Sequence, residues 1–288
     1  MEFSIIIPSH NNYKYCKLTL DSIKKNSSFN HEIIVHVNIG SDGTLEYLKS
    51  ENIKFTYTDT NSGICEGVNS AVKLSSKDYI LYAHDDFYFC PEWDETFVNE
   101  LKNIKDNFFY LSGTMIQNGQ VELDCGNSLA NFNEVKLLRE YKNIKFHDFQ
   151  GSTWAPHLIH KNLWDRVGGF SEEFYPGTGS DPDLNMKLWN EGVRIFKGLQ
   201  NCKVYHFGSI VTRQKEKKYH LKTESGSKGS KLFLMKWGVS IKFFKKHFLK
   251  SDTLYNGPLS EPLRNFNYYF ELMNCKLYCY YLKIFFKA

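Results

Sequence analysis

An alternation of strand-like and helix-like segments constrains this chain most. Phe3-Ser4-Ile5-Ile6-Ile7-Pro8 is an unbroken apolar run closed by proline, the pattern of a strand buried on both faces of a parallel sheet. Leu18, Leu20 and Ile23 then repeat at helical spacing over residues 15–25. Further strands are predicted over 32–38, over 53–57 and from Tyr79. A turn at residues 40–44 leads into a helix over 45–49, and Asn61-Ser62-Gly63 opens another carrying Val68, Ala71, Val72 and Leu74. Strand and helix alternating at this pace predict a doubly wound, mostly parallel α/β sheet. Beyond it the pattern predicts a helix over 93–104 and strands over 108–115 and 120–123 joined by an Asn118-Gly119 turn. A helix over 133–141, a strand over 153–160, a helix over 161–167 closed by Gly168-Gly169, and a strand over 204–207 follow.

Polar or glycine-bearing loops close successive strands at Pro8-Ser9-His10, at residues 38–43, at residues 61–63 and at His84-Asp85-Asp86. In an open α/β sheet these ends converge on one crevice, where ligands bind. No Gly-x-Gly-x-x-Gly follows the first strand and no Gly-Lys-Ser/Thr appears, which argues against dinucleotide and P-loop sites. Two adjacent carboxylates at the mouth of a buried strand repel each other and lose solvation, so they need water or a shared cation. Hard oxygen donors of this kind suit Mg²⁺ or Mn²⁺. Taken alone, the pair reads more readily as a polar strand end.

Asp181-Pro182-Asp183 has its own local explanation: Asp181 as a helix N-cap, Pro182 at the first helical position, Asp183 in the first turn. A capping carboxylate can still face a cleft. His206, in the strand-like Val204-Tyr205-His206-Phe207, is by itself an ordinary core histidine.

The net charge of +4 conceals an asymmetry. Residues 208–288 carry 16 Lys/Arg against 5 Asp/Glu, whereas residues 1–207 carry 20 against 27. A basic C-terminal third suggests an anionic contact, a membrane surface or a phosphorylated acceptor; a solvated helical face accounts for the same count. Residues 215–231 read as a mobile loop, 231–249 as one basic amphipathic helix, 257–262 as a linker and 268–286 as an aromatic-rich helix whose Cys275 and Cys279 form a packing face. The 7 cysteines include no Cys-x-x-Cys, so zinc is not expected. With no basic leader and no apolar run of about 18 residues, the expected location is cytoplasmic.

With these residues in place, the chain resembles glycosyltransferase family 2, the inverting nucleotide-sugar glycosyltransferases of the GT-A fold. Ser4-Ile5-Ile6-Ile7-Pro8-Ser9-His10-Asn11 is similar to the family's opening strand and base-binding loop. Glu32-Ile33-Ile34-Val35 with Gly40-Ser41-Asp42-Gly43-Thr44 is similar to its second motif, and Asn61-Ser62-Gly63 through Asn69 to its third. His84-Asp85-Asp86 falls at the metal-binding Asp-x-Asp, and Gly168-Gly169-Phe170-Ser171-Glu172-Glu173 with Ser180-Asp181-Pro182-Asp183-Leu184 at the segment bearing the catalytic base. The chain departs from the family at Asn38 (usually Asp), His84 (usually an acid), Ser180 (usually Glu) and Glu66-Gly67 (commonly basic).

The resemblance implies a GT-A, Rossmann-like sheet sandwiched by helices over 1–207. Its nucleotide-sugar half would span about 1–110 and its acceptor half about 111–207; residues 208–288 would form a smaller, mainly helical extension. Pro8, Ser9, His10, Asn38 and Asp42 would hold the nucleotide-sugar together with Asn61, Gly63, Asn69, His84 and Asp85. Asp86 and His206 would hold a divalent metal, Mn²⁺ or Mg²⁺, and Asp181 would be the catalytic base. Trp154 and Asp183 fall on the acceptor side; Trp154 and Trp189 read either as sugar platforms or as core. The implied partners are a UDP-, GDP- or TDP-linked sugar and a glycan or glycoconjugate hydroxyl. Nothing points to nucleic acid, and the basic extension suggests peripheral membrane contact. Two other classes stay open: a non-catalytic nucleotide- or glycan-binding protein, and a sugar-1-phosphate nucleotidyltransferase. The latter would carry a Gly-rich, basic loop where Ser9-His10-Asn11-Asn12 stands.

Overall fold

The computed structural model of the chain describes residues 1–208 and 224–285. Its first half follows the alternation: β1 (Ser4–His10), α1 (Tyr13–Asn26), β2 (Glu32–Asn38), α2 (Thr44–Ser50), β3 (Lys54–Thr58), α3 (Gly63–Val72) and β4 (Tyr79–Tyr82). These strands run parallel, with Ile5 opposite both Ile33 and Leu81. Ile5, Ile6 and Ile7 are fully buried because helices cover both faces. Burial of such a side chain stabilises the fold by about 1.5–3 kcal/mol.

The second half comprises β5 (Phe87–Phe89), α4 (Trp93–Asn103), β6 (Phe109–Ile116), α5 (Glu134–Glu140), β7 (Phe149–Gln150), β8 (His157–His160), α6 (Lys161–Val167), α7 (Ser180–Asn190) and β9 (Ile195–His206). One sheet results, in the order β3-β2-β1-β4-β8-β6-β9-β5, with β7 also on β9. The parallel run stops at β4: β8 is antiparallel to both β4 and β6, and β5 is antiparallel to β9.

Several local expectations change. Residues 120–123 form no strand, because Gln120 and Val121 turn back to bond the Met115 carbonyl and only Val121 bridges Ile116. The strand expected over 153–160 begins at His157. β5 and the first half of β9 are additions; their aromatic and apolar residues pair with partners far along the chain and show no local period. Asp181 is not the cap of α7. Gly179 holds that position at φ +88° and Asp181 is the second helical residue, since a left-handed turn there favours glycine.

The C-terminal segment packs on the same core. α8 (Glu224–Trp237), α9 (Ile241–Phe244) and α10 (Phe266–Phe285) contribute Phe233, Leu234, Phe243, Phe244 and Leu282 to one continuous apolar cluster with β1 and β6. The single helix expected over 231–249 is broken: Gly238 adopts φ +72° and the Ser240 side chain caps a new start by accepting from the Phe243 amide. Of the loop expected over 215–231, residues 215–223 lie outside the described residues, and from Glu224 the chain is helical. All seven cysteines are free and buried. No helix among the described residues is long and apolar enough to cross a membrane.

Candidate active site

The parallel registers bring the C-terminal ends of β1, β2 and β4 to one edge of the sheet. Several side chains there knit the rim. Asn38 Oδ1 accepts from the Ser62 amide at 2.8 Å and from Thr58 Oγ1 at 3.2 Å. Asn61 Oδ1 accepts from the Gly63 amide at 3.0 Å. Asp42 accepts from the Tyr13 amide at 2.6 Å and from Thr44 Oγ1 at 2.6 Å, tying the starts of α1 and α2 together. The Asn69 amide donates to the Phe170 carbonyl at 2.8 Å and its oxygen accepts from the Phe170 amide at 2.9 Å. It clamps α3 to the segment leading into α7. Gly63, at φ +82°, lets Tyr175 pack against the start of α3, where a Cβ would lie 2.8 Å from its ring. Gly67, at the family's commonly basic position, faces the buried His36 ring, and a Cβ there would sit 2.5 Å from it.

At the end of β1, Pro8 and Ser9 lead to His10, and Ser9 Oγ donates to Asp85 Oδ2 at 2.7 Å. Burial and then the Asp86 charge push the Asp85 carboxyl up from its usual range.

Asp86 and His206 meet through backbone pairing. Phe87 is the register partner of His206, and the Phe207 amide donates to the Asp86 carbonyl at 3.2 Å. Both side chains are nearly buried, and His206 Nε2 lies 3.6 Å from Asp86 Oδ1, too far for a hydrogen bond. His206 Nδ1 faces the Asn118 carbonyl at 3.3 Å. A carbonyl only accepts, so Nδ1 carries the proton and Nε2, which has no hydrogen-bond partner, presents its lone pair. His84 stacks on Phe87 with ring centroids 4.8 Å apart. Its ligand atom and those of Asp86 and His206 all lie within 4.8 Å of one another. Burial, then His206, lowers the His84 pKa to about 4, so the ring is neutral and able to ligate at neutral pH. The chemistry of this donor set fits a divalent ion. His84 therefore groups with the metal-type ligands, an arrangement that only the third dimension reveals.

Asp181, on α7, lies close enough to Tyr82 for its charge to act there. Its Oδ1 is buried with no hydrogen-bond partner, and burial lifts its pKa to about 7. Tyr82 connects the two groups. Its ring meets His84 at 5.5 Å, and burial followed by the charges of Asp181 and Asp85 drives its phenol pKa well up. Behind Tyr82, the Tyr110 hydroxyl, both nitrogens of His157 and the Asn185 amide are buried, and Asn185 faces the Tyr110 hydroxyl. This polar layer runs between α7 and the sheet. Sequence reading missed it, because no spacing distinguishes these residues from core.

The acceptor-side candidates separate. Trp154 is 45% exposed and lines a cleft of about 460 Å³ with Asn118, His147 and Lys245; Asn118 links that cleft to His206. Asp183 faces away from it. Fully buried, it accepts from Ser171 Oγ at 2.6 Å and Trp237 Nε1 at 2.8 Å and pairs with Lys236 at 2.9 Å. It fastens α7 to α8, because a buried carboxylate demands such partners. Trp189 is core, stacked on Phe196.

A mixed sheet with its ligand-type residues gathered at the strand ends near a helix-borne carboxylate defines a GT-A architecture. The sequence profile of Glycosyl transferase family 2 matches residues 4–159, and the chain belongs to that family. An uncharacterized glycosyltransferase of Haemophilus influenzae is 29% identical over 109 residues, 37% of each chain. Residues 1–349 of S. aureus TarS share the fold with a TM-score of 0.54 at 20% identity, over 72% of this chain and 60% of that one. GalNAc-T7, solved with UDP, GalNAc and Mn²⁺, has a TM-score of 0.55 at 15% identity, over 72% of this chain and 44% of that one. The chain thus spans less than two thirds of these relatives' own lengths.

Proposed function

We propose that the protein is a metal-dependent, inverting glycosyltransferase that moves a sugar from a nucleoside-diphosphate sugar to a hydroxyl of a glycan or glycoconjugate. The observation that carries this reading is the His84–Asp86–His206 cluster, joined through Tyr82 to Asp181, whose Oδ1 is buried with no hydrogen-bond partner among the described residues. Two imidazoles and one carboxylate suit Mn²⁺ better than Mg²⁺, which prefers oxygen ligands throughout. When bound, the ion would stabilise negative charge on the departing nucleoside diphosphate. Ser9 holds Asp85 toward the donor ribose or sugar, while Pro8, His10, Asn38 and Asn61 shape the nucleoside pocket. Asp181 takes the proton of the acceptor hydroxyl as it attacks the anomeric carbon from the face opposite the leaving group, help worth about 10²–10⁴-fold. A pKa near neutrality suits that task. The cleft beside Trp154 would receive the acceptor.

UDP-linked sugars are the first donors to test, since TarS has been solved with UDP-GlcNAc. The test is release of free nucleoside diphosphate from UDP-, GDP- and TDP-sugars with and without Mn²⁺. A transferase releases it with acceptor, and slowly with water. Binding of the donor with no release under any condition would assign the chain to the non-catalytic binders.

A further inference from the structure

Helix α10 has two apolar faces, and among the described residues only one is covered. Tyr268, Cys275, Cys279 and Leu282 are buried against α8, where Cys279 Sγ lies 3.6 Å from the Leu234 carbonyl. The opposite side is bare: Phe266 is 81% exposed, Phe270 52%, Met273 51%, Leu277 62%, Tyr280 68% and Ile284 53%. These residues follow one another at three- and four-residue steps, so they form one stripe along the helix. Exposed Tyr269 and Tyr281 widen it. Contiguous apolar surface on this scale marks an interaction site.

Two features select the occupant. The six residues keep the alternating four- and three-residue spacing of an a/d seam, and Tyr269 and Tyr281 widen the stripe to about a third of the helix circumference. Its tyrosines (Tyr269, Tyr280, Tyr281) carry an apolar ring and a polar tip, which suit the boundary between hydrocarbon and water. The charges agree. Lys276 and Lys283 are exposed on one flank and Arg264 precedes the helix. The helix's one carboxylate, Glu271, lies on the other flank, paired with Lys246 and with His247 at 2.8 Å. We propose that α10 is a membrane-surface helix. It lies in the plane of an anionic bilayer with Phe266, Phe270, Leu277 and Ile284 in the acyl boundary and Lys276 and Lys283 at headgroup phosphates.

Flotation of the full chain with phosphatidylcholine vesicles, with and without about a quarter phosphatidylglycerol, tests the proposal. The parent should float with the anionic vesicles and release as salt is raised. A Phe270→Ser/Leu277→Ser/Ile284→Ser variant should lose binding by about tenfold or more with an unchanged melting temperature. A Lys276→Glu/Lys283→Glu variant should lose the preference for anionic lipid. Parent protein that ignores both vesicle types, or a serine variant that binds as the parent does, overturns the proposal. So does a parent dimer in light scattering that the serine variant converts to monomer, which would give the face to a second copy of this chain.

Discussion

His206 Nε2 stands 3.6 Å from Asp86 Oδ1 because Phe87 and His206 are opposed across two antiparallel strands. A backbone ladder, not a local motif, assembles this pair. Replacing Asp86, His206 or His84 with Ala should therefore remove a ligand without unfolding the sheet. Mn²⁺-stimulated turnover should fall by at least about 10²-fold for Asp86 and His206, and less for the partly exposed His84. The parent should gain about 2.7 kcal/mol of stability at an Mn²⁺ concentration a hundred times Kd; thermal-shift titration should show that gain lost in the Asp86 and His206 variants.

Asp181→Asn should lower kcat by about 10²–10⁴-fold and leave donor affinity intact. In the parent, Asp181 must be ionised to accept a proton, so kcat should climb with pH through about 7 and then level off. Stability runs the other way. The folded pKa of about 7 exceeds the unfolded value of about 4, so the contribution is fully present below the unfolded value and is lost as pH rises through the folded one. Asp181→Asn should consequently melt above the parent at pH 8, with the difference vanishing near pH 4. Melting curves across that range check the sign.

Asp183 bonds Ser171, Trp237 and Lys236 from full burial. Asp183→Ala strands those partners and should cost about 3–5 kcal/mol, measured by urea unfolding. Trp237→Phe, which removes one donor, should cost about 1 kcal/mol. Because this joint seats the helix bearing Asp181, both variants should reduce kcat more than they raise KM.

Gly67→Ala places a methyl 2.5 Å from the His36 ring, and overpacking of this sort costs about 1–3 kcal/mol. His36→Ser in the same chain opens the space and should recover most of the loss. A double-mutant cycle in urea gives the coupling.

The first four strands and their helices were legible because each is written in local periodicity: a continuous apolar run for a strand covered on both sides, a three-to-four spacing for a helix. β5, the first half of β9 and the break at Gly238 were not. A three-residue aromatic strand and a capped restart carry too few residues to show a period. The rim residues teach the same lesson. Asn69 and Asp183 lie inside motifs that resemble ligand-binding segments, yet their hydrogen-bonding capacity is consumed by Phe170 and by Ser171, Trp237 and Lys236.

The amino-acid order alone determined the parallel half of the sheet, the edge at which polar loops converge and the family to which the chain belongs. Those properties depend on near neighbours and turn chemistry. Tertiary structure alone decided which polar groups come together and which are tied into the framework. It put His84 with Asp86 and His206, left Asp181 Oδ1 buried with no hydrogen-bond partner among the described residues and bound Asp183 into a joint. Whether a buried polar atom is satisfied depends on residues brought close by folding, and no pattern along the chain carries that information.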